Sequence, residues 1–360
     1  MTVRAGLSSW DWGGRSSAAT PPGGSPADGA AATDRPVRAW RIVSPAMRRL
    51  AVRRILLTIP TAILASIVIF LLIRMVPGGP AIGILGVHAS PASVAALNKE
   101  LGLDHPLVQQ YWQWLTGALQ GNLGQSLQTQ QPVAHMVAQS FPVSAELVVL
   151  ALLFTLVFAL PAGVLAAQRA GTRLDRGLSN ASGLGLAVPD FFLAVILIAM
   201  FGIAAHVLPE LGFVPFSQSP AANLDHMVLP GLSMGLGAAA IVVRQVRAAM
   251  VDALNGPYVR TARAMGVPER TIVWRYALRN ALPTILNVYG LLLVGMFGAT
   301  LIIEEVFVLP GMGNALVNAI GVRDYTFIQG VTMVYVGLVL VTNLVVDIAV
   351  AIVSPKLAEQ

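Results

Sequence analysis

The sequence predicts an all-α integral membrane protein with six transmembrane helices, and three observations lead there. Of its 360 residues 56% are apolar and only 11% are charged, with a mean hydropathy of +0.72. Soluble domains carry about 25% charged residues, so that class is excluded. Six apolar segments are long enough to cross a bilayer, and the basic residues cluster between alternate pairs of them.

The six predicted spans follow from length. A hydrocarbon core about 30 Å thick takes about 20 residues of helix. The segments that meet this length are 55–76, 143–168, 186–207, 227–247, 282–304 and 326–350. Pro161 and Gly163 predict a kink in the second. Gly231, Gly235 and Ala239 predict close helix contact in the fourth, within one subunit or in a dimer.

The distribution of charge predicts the topology. Twenty of the 23 basic residues lie before the first span, after the second, after the fourth and after the sixth. The opposite side holds only Lys99 and Arg323, while Arg74 lies near the outer end of the first span. By the positive-inside rule both termini are cytoplasmic. The net charge of +6 therefore reflects membrane orientation, and no nucleic acid partner is expected.

Two regions outside the spans have a distinct composition. Residues 1–46 are rich in Gly, Pro, Ala and Ser, which predicts a disordered cytoplasmic extension ahead of a transmembrane domain at 47–357. Translation from Met47 is an alternative. The external segment 77–142 carries Tyr111, Trp112 and Trp114, a density typical of a helix at the membrane interface. A docking or substrate surface is the alternative interpretation.

The sequence lacks the motifs of an enzyme. It has no phosphate-binding GxxxxGK[ST] loop, no HExxH, no GxSxG and no cysteine. Its five histidines are scattered, so no metal site and no cofactor bound by this chain are expected.

Ionisable residues near the spans are functional candidates by default. Most such residues here, among them Glu146 and Asp347, fit side chains that reach the headgroup layer from span ends. The candidates for a translocation path or gate, with Glu304 first among them, are Glu304, Glu305, Asp190 and Gly235.

A basic segment lies between the fourth and fifth spans. Its cytoplasmic part is 248–281, and Gly256–Pro257 predicts a helix start. Val259, Ala262 and Met265 form an apolar stripe, Gly266 breaks the helix, and Glu269 opens a second short helix. A rigid pair of helices anchored in the membrane at both ends predicts a docking point for a soluble partner. A loop resting on anionic lipid is the alternative.

The residues of this segment match a known family. RTARAMG followed by VPERTIVWRYALRNALP resembles the "EAA" loop of permease subunits in bacterial ATP-binding-cassette (ABC) importers, and in particular the B-type permease of the dipeptide/oligopeptide/nickel group. Further matches are LLIRMVPGGPA, LGLDHPLVQQYWQWL, HMVLPGLSMGLG, EEVFVLPGMGNALVNAI and RDYTFIQG. Together they cover residues 47–357. Arg260-Thr261-Ala262 stands where the general motif has Glu-Ala-Ala, so the usual contact of that glutamate is not carried over.

The resemblance implies a type I ABC-importer permease fold, with a cytoplasmic coupling helix and a large external loop after the first helix. It implies a non-catalytic, channel-forming subunit in the bacterial cytoplasmic membrane that moves di- or oligopeptides. The implied partners are a second homologous permease, one or two ATPase subunits that bind ATP and Mg, an extracytoplasmic solute-binding protein and membrane lipid. The residues implied to contact the ATPase are Tyr258, Arg260, Thr261, Ala262, Arg263, Met265, Gly266, Pro268 and Arg270.

Two alternatives stay open at the level of sequence. The same role could serve nickel, haem or another small solute. A self-sufficient, ion-coupled secondary transporter is the alternative from another class, and it would need intramembrane carboxylates and paired broken helices.

Overall fold

Apolar segments fold as helices in a membrane because each backbone N–H and C=O must find its partner within the segment. The computed structural model describes residues 45–75, 81–82, 85, 89–100 and 102–353. The predicted extension 1–46 lies outside the described residues apart from its last two positions. The helices that build the fold are α1 (Pro45–Arg74), α2 (Pro91–Glu100), α3 (Leu107–Leu119), α4 (Val133–Gln168), α5 (Arg173–Ala187), α6 (Asp190–Ala204), α7 (Pro220–Leu254), α8 (Pro257–Ala264), α9 (Glu269–Phe307), α10 (Met312–Gly321) and α11 (Tyr325–Val353).

Five helices are each long and apolar enough to cross a membrane, namely α1, α4, α7, α9 and α11. Helices α5 and α6 meet the same criterion only as a pair, and the chain bends by 99° between them. The predicted third span at 186–207 therefore includes this break, and its helix α6 begins only at Asp190. Val188 precedes Pro189, and a proline ring pushes the residue before it out of the helical conformation. Val188 is indeed extended, with φ −98° and ψ 120°.

Two predicted boundaries also move. Helix α4 begins at Val133 rather than at 143, and it contains a π-helical turn at Thr155–Ala159 just before the predicted kink at Pro161. Helix α9 begins at Glu269 and runs without a break into the fifth span. The second helix of the basic segment is thus the first part of a transmembrane helix and not a separate short one.

Helix α7 lies at the centre of the bundle, where it packs against α4, α5, α6 and α9. Small residues permit this approach: a Cβ at Gly231 would lie 3.1 Å from Leu150, and one at Gly235 would lie 2.9 Å from the ring of Phe154. The predicted small-residue face of α7 therefore packs within one subunit, against α4.

Helix α1 lies at the edge of the bundle, against α11 and α3. Tyr111 of α3 hydrogen-bonds Ser66 through the two hydroxyls at 2.8 Å, and its ring meets Phe70 at 5.4 Å between centroids. Arg74 Nε donates to Gln110 Oε1 at 2.9 Å. The predicted external helix that carries these aromatic residues is thus α3, and it packs on α1. Trp112 is 57% exposed. The placement of α3 at the membrane interface stays a prediction.

Candidate functional site

The basic segment between α7 and α9 has a small apolar core of its own. Helix α8 starts after Gly256 with Pro257 in its first turn, where the missing N–H of proline costs nothing. Val259 and Ala262 are buried, and they pack with Ile272 from the start of α9. Fully burying a side chain such as Val or Ile contributes about 1.5–3 kcal/mol. The segment is therefore a folded unit rather than a loose loop.

The turn between α8 and α9 depends on Gly266. Its φ is +75°, in the left-handed region. The N–H of Gly266 donates to the carbonyl of Arg263 at 3.0 Å, and that of Val267 to the carbonyl of Ala262 at 3.1 Å. This pair of bonds is the Schellman ending of a helix, in which glycine is favoured because it has no Cβ. A Cβ at Gly266 would have no atom within 4 Å, so the requirement is conformational and not one of space.

Three of the residues predicted to contact the ATPase also form hydrogen bonds or an ion pair within the basic segment. Tyr258 Oη donates to the carbonyl of Ala253 at 2.7 Å, and Thr261 Oγ1 to that of Pro257 at 3.2 Å. Arg263 forms an ion pair with Glu269 across the turn, at 2.6 Å. The hydrogen bond from Arg263 lowers the pKa of the Glu269 carboxyl and raises that of the guanidinium.

Four more of the residues predicted to contact the ATPase have exposed side chains. Arg260, Pro268 and Arg270 are exposed, and Met265 is 70% exposed. Met265, the third residue of the predicted apolar stripe, is not buried with Val259 and Ala262, because it follows the last residue of α8. The Arg260 side chain makes no hydrogen bond or ion pair with any described residue.

A cavity of about 620 Å³ lies between the junction of α5 and α6, α7 and α9. Its walls include Asp190, Gly237, Gln245 and Gly295. Gly235 is not among them, because it faces α4. The candidate Gly235 thus packs against α4, and the glycines that line the cavity are Gly185, Gly237 and Gly295.

A second cavity, of about 460 Å³, lies beside the basic segment. Gln245 lines both cavities. The further walls of the second include Asp252, Tyr258, Asn280 and Thr284. The two cavities therefore adjoin along α7 and α9, and the smaller one reaches the start of α8.

The Asp190 carboxylate lies against the middle of α7. A Cβ at Gly237 would overlap Oδ1 of Asp190, so the carboxylate lies directly against Gly237. That glycine is the middle residue of the 35-residue helix α7. The position of Asp190 follows from the break at Pro189, which hydropathy does not detect. A role for Asp190 in a translocation path stays a prediction.

Glu304 and Glu305 lie away from both cavities. Glu304 is fully buried, and it accepts hydrogen bonds from Ser144 Oγ at 2.6 Å and from the N–H of Asn314 at 3.0 Å. Its carboxyl group thus binds the first turn of α10, where the helix N–H groups have no partner within the helix. Glu305 is exposed and accepts a bond from the Asn314 amide at 2.8 Å. A gating role for either residue stays a prediction.

Sequence reasoning missed an ion pair between α5 and α7. Asp175, 2% exposed, accepts two bonds from Arg247 and a third from the N–H of Gly171 at 2.8 Å. The N–H of Asp175 in turn donates to Thr172 Oγ1. Thr172-x-x-Asp175 is a helix-capping pattern that the sequence contains, but its partner on α7 is visible only in the folded chain.

The chain is similar to known transport proteins over most of its length. A family model described as "Binding-protein-dependent transport system inner membrane component" matches residues 159–359, and the model of the N-terminal part of such components matches residues 47–148. A protein of Brucella abortus (strain 2308), named as a peptide transport system permease, is 37% identical over 311 residues, which are 86% of this chain and 99% of the relative. The glutathione transport system permease protein of Escherichia coli (strain K12) is 33% identical over 311 residues, with the same coverage.

A solved structure supports the fold. An inward-facing structure of the methionine ABC transporter MetNI aligns with a TM-score of 0.50 and 22% identity, over 61% of this chain and 96% of that one. The fold is thus that of an ABC permease. Membership of the family whose models match this chain implies a multi-pass inner membrane protein that works with an ATPase and a binding protein. The chain belongs to the family of inner membrane components of binding-protein-dependent transport systems.

Proposed function

We propose that this chain forms half of the channel through which di- or oligopeptides enter a bacterial cell, driven by separate ATPase subunits that dock on residues 256–283. The names of the relatives support the peptide substrate. Glutathione, which the Escherichia coli relative is named for, is itself a tripeptide and falls in the same class.

One observation carries this proposal: the docking segment and the cavity wall are parts of the same helix. Helix α9 begins at Glu269 inside the basic segment and continues to Phe307. Its residues Thr284, Val288 and Gly295 line the two cavities in turn. A push on α8 therefore reaches the cavity wall through a packed core and a continuous helix, with no flexible linker between them.

The cavity walls have the pattern of half a channel. On α7 the lining residues Met234, Gly237, Ile241, Gln245 and Asp252 recur at helical spacing, so that they share one face. A second, homologous permease supplies the other half of the wall in this proposal. The exposed apolar surface around the cavity is available for that contact.

The partners divide the chemistry between them. The ATPase subunits bind ATP and Mg and hydrolyse the nucleotide, an extracytoplasmic binding protein delivers the peptide, and this chain binds no cofactor and catalyses no reaction. Both termini and α8 lie in the cytoplasm in this arrangement. Lipid covers the outer faces of α1 and α11.

Copurification tests the docking assignment. Arg260 is the sharper target than Arg263, because Arg263 stabilises the turn through Glu269. With the complete complex, Arg260→Glu should reduce the ATPase recovered with this chain severalfold, while membrane insertion is unchanged. Arg173→Glu is the matched control: it makes the same charge change at another exposed position, and ATPase recovery should remain at the wild-type level. Equal recovery with both variants would contradict docking at α8.

A further inference from the structure

The chain is broken inside a candidate membrane span, and the break opens onto the larger cavity. Val188 and Pro189 separate α5 from α6, and both line the cavity of about 620 Å³. Non-helical backbone inside a span is tolerated only where protein or a water-filled cavity can satisfy its polar groups. The break is therefore explained if the cavity holds water or a polar ligand.

The carboxylate beside this break has no partner among the described residues. Asp190 is the first residue of α6 and is half-buried, and its side chain makes no hydrogen bond or ion pair with any of them. Arg247, the nearby cation on α7 that faces the bundle, is bound to Asp175. An ionised carboxylate inside a membrane span is costly when it is unpaired, so such residues mark sites for ions or ligands.

The bundle is built to leave room for this carboxylate. Gly237 lies opposite, and a Cβ there would overlap Oδ1 of Asp190. Alanine would serve a helix better than glycine by about 1 kcal/mol. The glycine is thus the residue that allows the Asp190 side chain to lie against α7 and face the cavity.

From these contacts we infer that Asp190 binds the ammonium group of the transported peptide at the midpoint of the channel. The remainder of the cavity is largely apolar, with Gln245 at its other end, which suits the side chains and amide groups of a short peptide. This inference rests on the proposed function, since it names the contact by which the peptide is held. It adds a specificity-determining residue to a channel whose substrate contacts are otherwise unassigned.

Charge at position 190 can be removed and restored, because the chain contains no cysteine. The complete transporter, with its partner permease, ATPases and binding protein, is reconstituted in liposomes and supplied with ATP and radiolabelled di-alanine or tri-alanine. Asp190→Asn should lower uptake about tenfold, the loss expected for a hydrogen bond between charged groups. Asp225→Asn, an exposed carboxylate on the same helix as Gly237, should stay within about twofold of wild type.

Asp190→Cys gives the decisive comparison. A thiosulfonate reagent that attaches an ethylsulfonate group should restore most of the uptake, while one that attaches an ethylammonium group should not. Wild-type complex treated with either reagent controls for thiols in the partner subunits. Rescue by charge is a result that a purely structural role of Asp190 would not produce.

The outcomes separate this inference from the function on which it rests. Normal uptake by Asp190→Asn, or equal effects of the two reagents, would overturn the ammonium site and leave peptide transport intact. Loss of the partner permease from the Asp190→Asn complex would make Asp190 a subunit contact and would also overturn it. No uptake of either peptide by the wild-type complex would contradict the proposed function itself, and the inference with it.

Discussion

At the scale of single residues, Gly266 shows that a backbone conformation can require glycine even where a side chain would have room. An L-residue with a Cβ pays roughly 1–2 kcal/mol in the left-handed region that Gly266 occupies, whereas asparagine visits it more readily. We therefore expect Gly266→Ala to loosen the end of α8 by about 1 kcal/mol, which corresponds to an increase of about fivefold in local opening. Hydrogen exchange at the backbone amides of positions 266 and 267 measures this opening, and Gly266→Asn should exchange more slowly than the alanine variant.

Size offers an independent check at the same position. Since no atom lies within 4 Å of a Cβ at Gly266, Gly266→Leu should match Gly266→Ala in the isolated subunit. In the assembled transporter the leucine should lower ATP-driven uptake further than alanine does, if the ATPase covers this turn. Identical uptake by the two variants would place the ATPase elsewhere, and faster exchange in the isolated leucine variant would mean that space, not conformation, is limiting.

How far the site can be read from sequence depends on how local its determinants are. Gly256, Pro257 and Gly266 act on their own neighbours along the chain, so the start and the end of α8 were predictable. Asp190 and Gly237 are 47 positions apart in the sequence and meet only through packing. A single sequence contains no signal for that contact, nor for the packing of Gly235 against α4.

At the scale of secondary-structure elements, the junction of α5 and α7 is held by the Asp175–Arg247 pair. Arg247→Met leaves the Asp175 charge buried without its partner, which we expect to cost about 3–5 kcal/mol. Asp175→Asn should cost less, because the Arg247 side chain is 32% exposed and can turn to water. The free energy of unfolding of the two variants in detergent measures the difference.

A more exposed ion pair provides the control for the expected cost of breaking the buried Asp175–Arg247 pair. Arg54 and Asp347 join α1 to α11 at 2.8 Å, with side chains 51% and 25% exposed. Exposed pairs contribute about 0–1 kcal/mol, so Arg54→Met should change the unfolding free energy by no more than that. A loss in Arg54→Met as large as that in Arg247→Met would show that burial is not the deciding factor.

Hydropathy predicts elements well where one helix corresponds to one apolar run. It identified α1, α4, α7, α9 and α11 because each buries its backbone bonds within a single segment. It failed at the α5–α6 pair, since a sum of residue hydropathies takes no account of the conformation that Pro189 imposes. It also could not detect that α9 extends past its apolar part to Glu269, because that extension is stabilised by α8 and not by lipid.

At the scale of the whole molecule, the outer segment is joined to the bundle through Asp324. This residue is 3% exposed although it ends the short connection between α10 and α11. Its Oδ1 accepts from the N–H groups of Leu127 and Phe327, each at 3.1 Å, and its Oδ2 accepts from Ser126 Oγ. One carboxylate therefore caps α11 and holds the connection between α3 and α4 from 198 residues away.

Loss of this carboxylate should release the outer segment and leave the bundle folded. Hydrogen bonds to a charged group contribute about 1.5–3 kcal/mol each, and Asp324→Ala removes three of them at once. Because α3 also contacts α1 through Tyr111 and Gln110, the release should be confined to residues 122–132. Limited proteolysis from the outer face should then cut the variant there, while the unfolding transition of the helices stays near that of the wild type.

Gln128→Ala is the matched control for Asp324→Ala. The Gln128 amide joins the same two regions through an exposed hydrogen bond to the Val322 carbonyl at 3.0 Å, and this variant should resist cleavage as the wild type does. Cleavage of both variants alike, or of neither, would mean that the outer segment is held by its apolar contacts with α11 rather than by the Asp324 charge.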